Sequence, residues 1–181
     1  MNERFTRVIE KMKEENVPQL IVSDPVAIFY LTGKWIYPGE RLLALFIHKD
    51  GDPKLVINEL FPQEEDLGVE LIWYNDVEDG VEILSKYIHE DEIMGIDKEW
   101  PAKFLLRLQE LLPDKKYVNS SLLIDKVRMI KDEEEKELMR ESSRINDKVM
   151  EELIPWVVEG LTERELSDKV KVIKCICNKK I

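Results

Sequence analysis

Two apolar runs, Arg41 to His48 and Lys54 to Asn58, are joined by Lys49-Asp50-Gly51-Asp52. An Asp-Gly pair between two strand-like runs is among the strongest short-range hairpin signals. Such a pair cannot belong to an all-parallel sheet, because parallel neighbours need a long crossover between them. Strand-like runs and helix-like runs alternate around it. Phe5, Val8, Ile9 and Met12 lie three and four apart and predict one apolar face of a first helix that packs on a sheet. Leu20 to Val22 reads as a short buried strand. Asp24-Pro25 then supplies a cap and a first-turn proline for a helix through Ile28, Phe29 and Leu31, stopped by Gly33.

Further along, Val69 to Tyr74 reads as a strand, Val81 to Ile88 as a helix and Ile93 to Ile96 as a strand. A helix follows from Pro101 with Leu105, Leu108 and Leu112 in one stripe, and Lys116 to Val118 reads as a last short strand. The expected fold class is α/β: a mixed β-sheet flanked by helices over residues 1–122, followed by a helical segment. Residues 123–170 read as a linker and further helices. Asp132 caps a helix with Glu133, Glu134 and Glu135 in its first turn, where the helix dipole favours carboxylates. That helix carries Leu138, Ile145, Val149, Leu153 and Ile154 and is expected to bend or stop at Pro155. Thr162 and Glu165 form a capping box for a restart after Gly160. Residues 171–181 form an atypical tail.

The formal net charge of −11, with no long Lys/Arg block, argues against a nucleic-acid partner. The longest apolar runs fall far short of the roughly 20 residues that span a bilayer, so no membrane partner is expected and a cytoplasmic location fits best. Cys175 and Cys177 lie one residue apart, too close for a useful mutual disulfide and too few to fill a tetrahedral zinc site.

Several landmarks occur in a telling order: Tyr30-Leu31-Thr32-Gly33, Arg41 leading a strand, the Asp50-Gly51 hairpin and Gly95-Ile96-Asp97. Asp125 to Lys131 follows, then Glu133-Glu134-Glu135 and Gly160-Leu161-Thr162-Glu163. Together they resemble the N-terminal domain of the creatinase/prolidase family, and the first helices of its catalytic domain, over about residues 1–170. The compact first domain is most similar to that of bacterial and archaeal Xaa-Pro dipeptidases.

The resemblance implies a pita-bread catalytic domain with two divalent metal ions, Mn or Co, held by two Asp, one His and two Glu beyond the Gly-Leu-Thr-Glu segment. Those motifs are missing here. The expectation is therefore a truncated, non-catalytic N-terminal region without a cofactor of its own, with roles in dimerisation and substrate access. The alternative is a self-associating or partner-binding interaction module. The resemblance also implies a homodimer in which the N-terminal domain reaches over the partner's active site, with an Xaa-Pro dipeptide as the parent's substrate. Arg41 resembles an Arg that meets the substrate carboxylate, with Trp35 and Tyr37 in the loop before it. A guanidinium offers the planar fork that a carboxylate needs. An ion pair with Glu40, Asp24 or another surface acid is the structural alternative for Arg41, and packing on the sheet the alternative for Trp35 and Tyr37. His48 and His89 read as surface or partly packed residues rather than metal ligands.

Overall fold

The computed structural model describes the backbone of residues 2–178 and the side chains of residues 2–173. Two compact units divide at Met129/Ile130. The first carries a six-stranded sheet. Its strands are β1 (Gln19–Val22), β2 (Ala44–His48), β3 (Lys54–Asn58), β4 (Glu70–Tyr74), β5 (Met94–Ile96) and β6 (Tyr117–Asn119), in the order β4-β3-β2-β1-β5-β6. β2 is antiparallel to both β1 and β3, and every other neighbouring pair is parallel. Five strands therefore point one way and β2 alone points back. This is the mixed sheet expected from the hairpin.

Side-chain alternation along the strands explains why both faces are covered. Leu20 and Val22 of β1 face one side together with Leu45, Ile47, Leu55 and Ile57. There they meet Phe5, Val8 and Met12 of α1 (Glu3–Glu14), Ile28 and Leu31 of α2 (Pro25–Thr32) and Leu123, Ile124 and Val127 of α5 (Ser121–Met129). Ile21, Ala44, Phe46 and Val56 face the other side, against Val81 and Leu84 of α3 (Gly80–Ser85) and Leu108 of α4 (Ala102–Leu111). The α1 face is buried as its periodicity predicts, and Asn2 caps the helix by accepting the Phe5 N–H. Gly33 ends α2 at φ 74°, a left-handed conformation that a side chain resists.

Three details differ from the sequence reading. The β2–β3 hairpin forms with Leu45 opposite Leu55, but Gly51 has no positive φ. The chain turns over residues 49–53, a loop too long for the tight two-residue turn that would demand one. Arg41 precedes the strand rather than leading it, because its N–H closes a turn onto Pro38 O at 3.1 Å. Finally, the segment after Asn119 is the helix α5 within the first unit. Its apolar residues are buried beside α1, and Arg7 donates to Val127 O at 3.0 Å.

The second unit contains α6 (Glu133–Leu153), a short 3-10 turn (Ile154–Trp156) at Pro155 and α7 (Glu163–Asn178). The capping box expected at Thr162/Glu165 is present, and the N-cap expected at Asp132 forms as a full capping box with Glu135. Val149, Leu153 and Ile173 form its small core, while Leu138, Met150, Ile154 and Trp156 remain exposed. The side chains of Cys175 and Cys177 lie outside the described residues. Among the described residues no helix is long and apolar enough to cross a membrane.

Candidate functional site

Because β2 alone is reversed, its start shares a rim with the C-terminal ends of β1, β3, β4, β5 and β6. In open α/β sheets this is the rim where ligands are commonly held. Arg41 lies on it. Its Nε donates to Asp76 Oδ1 at 2.8 Å and its Nη2 to Asp76 Oδ2 at 2.7 Å, and Asn58 Nδ2 donates to Asp76 Oδ1 at 2.9 Å. The partner acid is thus Asp76, just past β4, and neither Glu40 nor Asp24. The arrangement shows a guanidinium whose plane is fixed by a carboxylate that Asn58, at the end of β3, itself holds in place.

A cleft of about 340 Å³ opens beside this pair, lined among others by Leu42, Tyr74, Asp79, Phe104 and Arg107. Tyr74 reaches back to donate its hydroxyl to Leu42 O at 2.9 Å, and Arg107 Nε donates to Asp79 Oδ2 at 2.8 Å. Lys103 Nζ donates to Glu40 O at 2.9 Å. Three cations, Arg41, Lys103 and Arg107, and three carboxylates, Asp76, Glu78 and Asp79, line the cleft and suit a small zwitterionic group better than an apolar one.

Trp35 and Tyr37 are not on the sheet. They are 56% and 74% exposed, and Trp35 meets Phe29 edge-on at 6.0 Å between ring centroids. Neither residue lines the Arg41 cleft. The structure joins Arg41 to Asp76 and Trp35 to Phe29, and leaves Tyr37 projecting from the loop between them.

The rim is organised by a second carboxylate, which the sequence marked only as part of the Gly95-Ile96-Asp97 landmark and gave no role. Asp97, directly after β5, accepts the N–H groups of Ser23 and Asp24 on Oδ2 at 2.8 and 2.9 Å and the Ser23 hydroxyl on Oδ1 at 2.8 Å. Asp24 in turn caps α2 by accepting the Val26 N–H at 2.9 Å. One side chain therefore pins the turn from which α2, and the loop bearing Trp35 and Tyr37, departs.

The hydrogen bonds from Arg41 hold the Asp76 carboxyl below its ordinary value, with a smaller contribution from Asn58. At Asp79 partial burial pushes upward, but Arg107 and the N–H groups of Glu82 and Val81 outweigh it, so its pKa is also lowered. A carboxyl with a lowered folded-state pKa contributes stability above its unfolded value and loses it as pH falls through the folded one. The melting temperature of the chain is expected to fall as pH drops below about 3.8, the ordinary aspartate value. The double substitution Asp76→Asn and Asp79→Asn should flatten that acid limb in thermal melts. An unchanged acid limb would show that these pairs do not set it.

The Creatinase/Prolidase N-terminal domain family matches residues 4–130, the whole of the sheet-bearing unit. The chain belongs to the creatinase/prolidase family. The creatinase/prolidase N-terminal domain is thus followed here by a further helical unit. A dipeptidase from Pyrococcus horikoshii OT3 is 28% identical with a TM-score of 0.80, over 94% of this chain and 49% of its own. A prolidase from Thermococcus sibiricus shares the fold with a TM-score of 0.84 at 24% identity, over 96% and 49%. An uncharacterized peptidase of Staphylococcus aureus (strain bovine RF122 / ET3-1) is 26% identical over 93% of this chain and 48% of its own length. The chain spans about half the length of these relatives. Among the described residues, one group of three potential metal ligands lies together, His48, His89 and Glu92. It does not supply the two Asp, one His and two Glu that the creatinase/prolidase resemblance implies.

Proposed function

We propose that this chain is the N-terminal, non-catalytic region of a metal-dependent Xaa-Pro dipeptidase, and that it serves dimerisation and substrate access. The observation that supports this most is the match of the creatinase/prolidase N-terminal domain along residues 4–130, with Arg41 on the ligand-holding rim. In this reading Asp76 orients Arg41 rather than silencing it. The fork is engaged through Nε and Nη2, which leaves the Nη1 side to meet the carboxylate of an Xaa-Pro dipeptide at the active site of a partner subunit. The exposed Trp35 and Tyr37 then flank the approach and exclude water from the proline end of the substrate. The two metal ions, Mn or Co, belong to the catalytic part of the parent enzyme.

The test is a chimera carrying residues 1–129 of this chain in place of the matching region of the Thermococcus sibiricus prolidase, assayed on Xaa-Pro dipeptides with Mn²⁺ or Co²⁺. Arg41→Ala is expected to raise KM by roughly tenfold or more, as for loss of a charge-assisted bond of about 1.5–3 kcal/mol, with a smaller change in kcat. The 181-residue chain by itself, run as the control, is expected to give no turnover. Metal-dependent turnover by that control would overturn the non-catalytic reading, and an unchanged KM would remove Arg41 from the substrate path.

A further inference from the structure

At the end of β2 opposite Arg41, the fold gathers three metal-ligating side chains that no catalytic role claims. His48 is the last residue of β2, and His89 and Glu92 lie on the turn leading into β5. One ligand atom from each lies within 4.8 Å of the others. His48 Nε2 is 2.8 Å and His89 Nδ1 3.8 Å from the same oxygen, Glu92 Oε2. A tetrahedral ion with bonds of roughly 2.0–2.1 Å holds its ligand atoms ~3.3 Å apart. The observed spacings bracket that value.

The backbone beneath these side chains is anchored. Gln19, fully buried in β1, donates Nε2 to His89 O at 2.9 Å and accepts the His89 N–H on Oε1 at 2.8 Å. The same Gln19 is the β1 partner of His48. The buried Lys115 ammonium also donates to His89 O. Two ligands thus ride on a turn clamped to β1 and the third on the strand beside it, the kind of fixed support a metal site requires. Lys49 Nζ, 3.1 Å from Glu92 Oε1, occupies the other carboxylate oxygen and leaves Oε2 to the imidazoles.

Loading an ion asks for two adjustments. His48 Nδ1 accepts the Asp50 N–H at 3.2 Å, so the neutral ring carries its proton on Nε2. The ion takes that place while the ring proton moves to Nδ1, releasing the Asp50 N–H to solvent. The His89 ring, stacked on His48 at 4.4 Å and 26°, must turn to aim Nδ1 inward. Its side chain is 60% exposed against 13% for His48, so it is the ring free to turn.

We propose that His48, His89 and Glu92 form a site for one borderline divalent cation of the zinc class, with water as fourth ligand, which ties the turn before β5 to the end of β2. The site does not depend on the proposed peptidase reading.

The test uses the full chain with Cys175→Ser and Cys177→Ser, since thiols would compete for zinc. Zn²⁺ is titrated calorimetrically above the ordinary histidine pKa of about 6.5. One equivalent is expected to bind, weakened at least about tenfold by His89→Ala and by Glu92→Gln. Co²⁺ is expected to give the intense visible absorption of a tetrahedral site. Metal-free melts of both variants confirm folding, and His89 is exposed enough for its loss to be harmless. Absence of stoichiometric Zn²⁺ uptake, uptake indifferent to both substitutions, or the weak spectrum of octahedral Co²⁺ would each overturn the proposal.

Discussion

Asp97→Ala is expected to cost the first unit about 3–5 kcal/mol of unfolding free energy, a drop on the order of 10 °C in melting temperature. Its carboxylate accepts four hydrogen bonds: from the N–H groups of Ser23 and Asp24 at the exit of β1, from the Ser23 hydroxyl, and a longer one at 3.4 Å from the Glu99 N–H. Removing it takes away these charge-assisted bonds and strands backbone donors in a half-buried turn, where water replaces the lost partner poorly. Asp97→Asn keeps one acceptor oxygen and should lose roughly half as much. Urea unfolding followed by circular dichroism measures both. A loss below about 1 kcal/mol for the alanine variant would mean that water satisfies the turn as well as Asp97 does.

The second large effect is expected two residues earlier. A Cβ on Gly95 would stand 2.5 Å from Ser120 Oγ, 2.7 Å from Val17 Cγ1 and 3.0 Å from Ser120 Cβ. Gly95 lies inside β5, between β1 and β6, where neither neighbouring backbone can retreat without breaking the sheet. Gly95→Ala is expected to destabilise by about 1–3 kcal/mol and Gly95→Val by more, as overpacking does. Ser120→Ala in the Gly95→Ala chain removes the nearest atom and should recover part of the loss. If Gly95→Ala melts with the parent chain, the close approach of Ser120 and Val17 is not a constraint on this position.

These two effects give physical content to the Gly95-Ile96-Asp97 landmark. In the sequence it stood out only by its order among other landmarks; in the structure the glycine admits Ser120, Ile96 fills the core, and the aspartate holds the β1–α2 turn. Local signals were legible for the same reason throughout. The spacing of Phe5, Val8, Ile9 and Met12, the proline and glycine bounding α2, and the caps at Asp132 and Thr162 act within one or two helical turns.

What escaped the sequence depends on partners far apart in the chain. Arg41 finds Asp76 at a separation of 35 residues, and nothing near either residue announces the other. His48 and Glu92 meet across 44 residues. His89 and Glu92 lie three residues apart, but only the fold of β1 against β2 brings His48 beside them. The helix α5 was missed because Asp125, Lys126 and Arg128 mask the buried stripe of Leu123, Ile124 and Val127.

The position of Asp97 also bears on how the chain is made. β1 leaves the ribosome before the other five strands, and β2, β3 and β4 can assemble on one side of it as they emerge. Its other edge stays open, and the Ser23 and Asp24 amides stay unlatched, until a segment 74 residues beyond Ser23 has been synthesised. A nascent chain stalled before that point presents a half-finished sheet with a bare, apolar central strand. Throughout that interval of translation the open edge of β1 offers unpaired N–H and C=O groups, the kind of surface that chaperones shield.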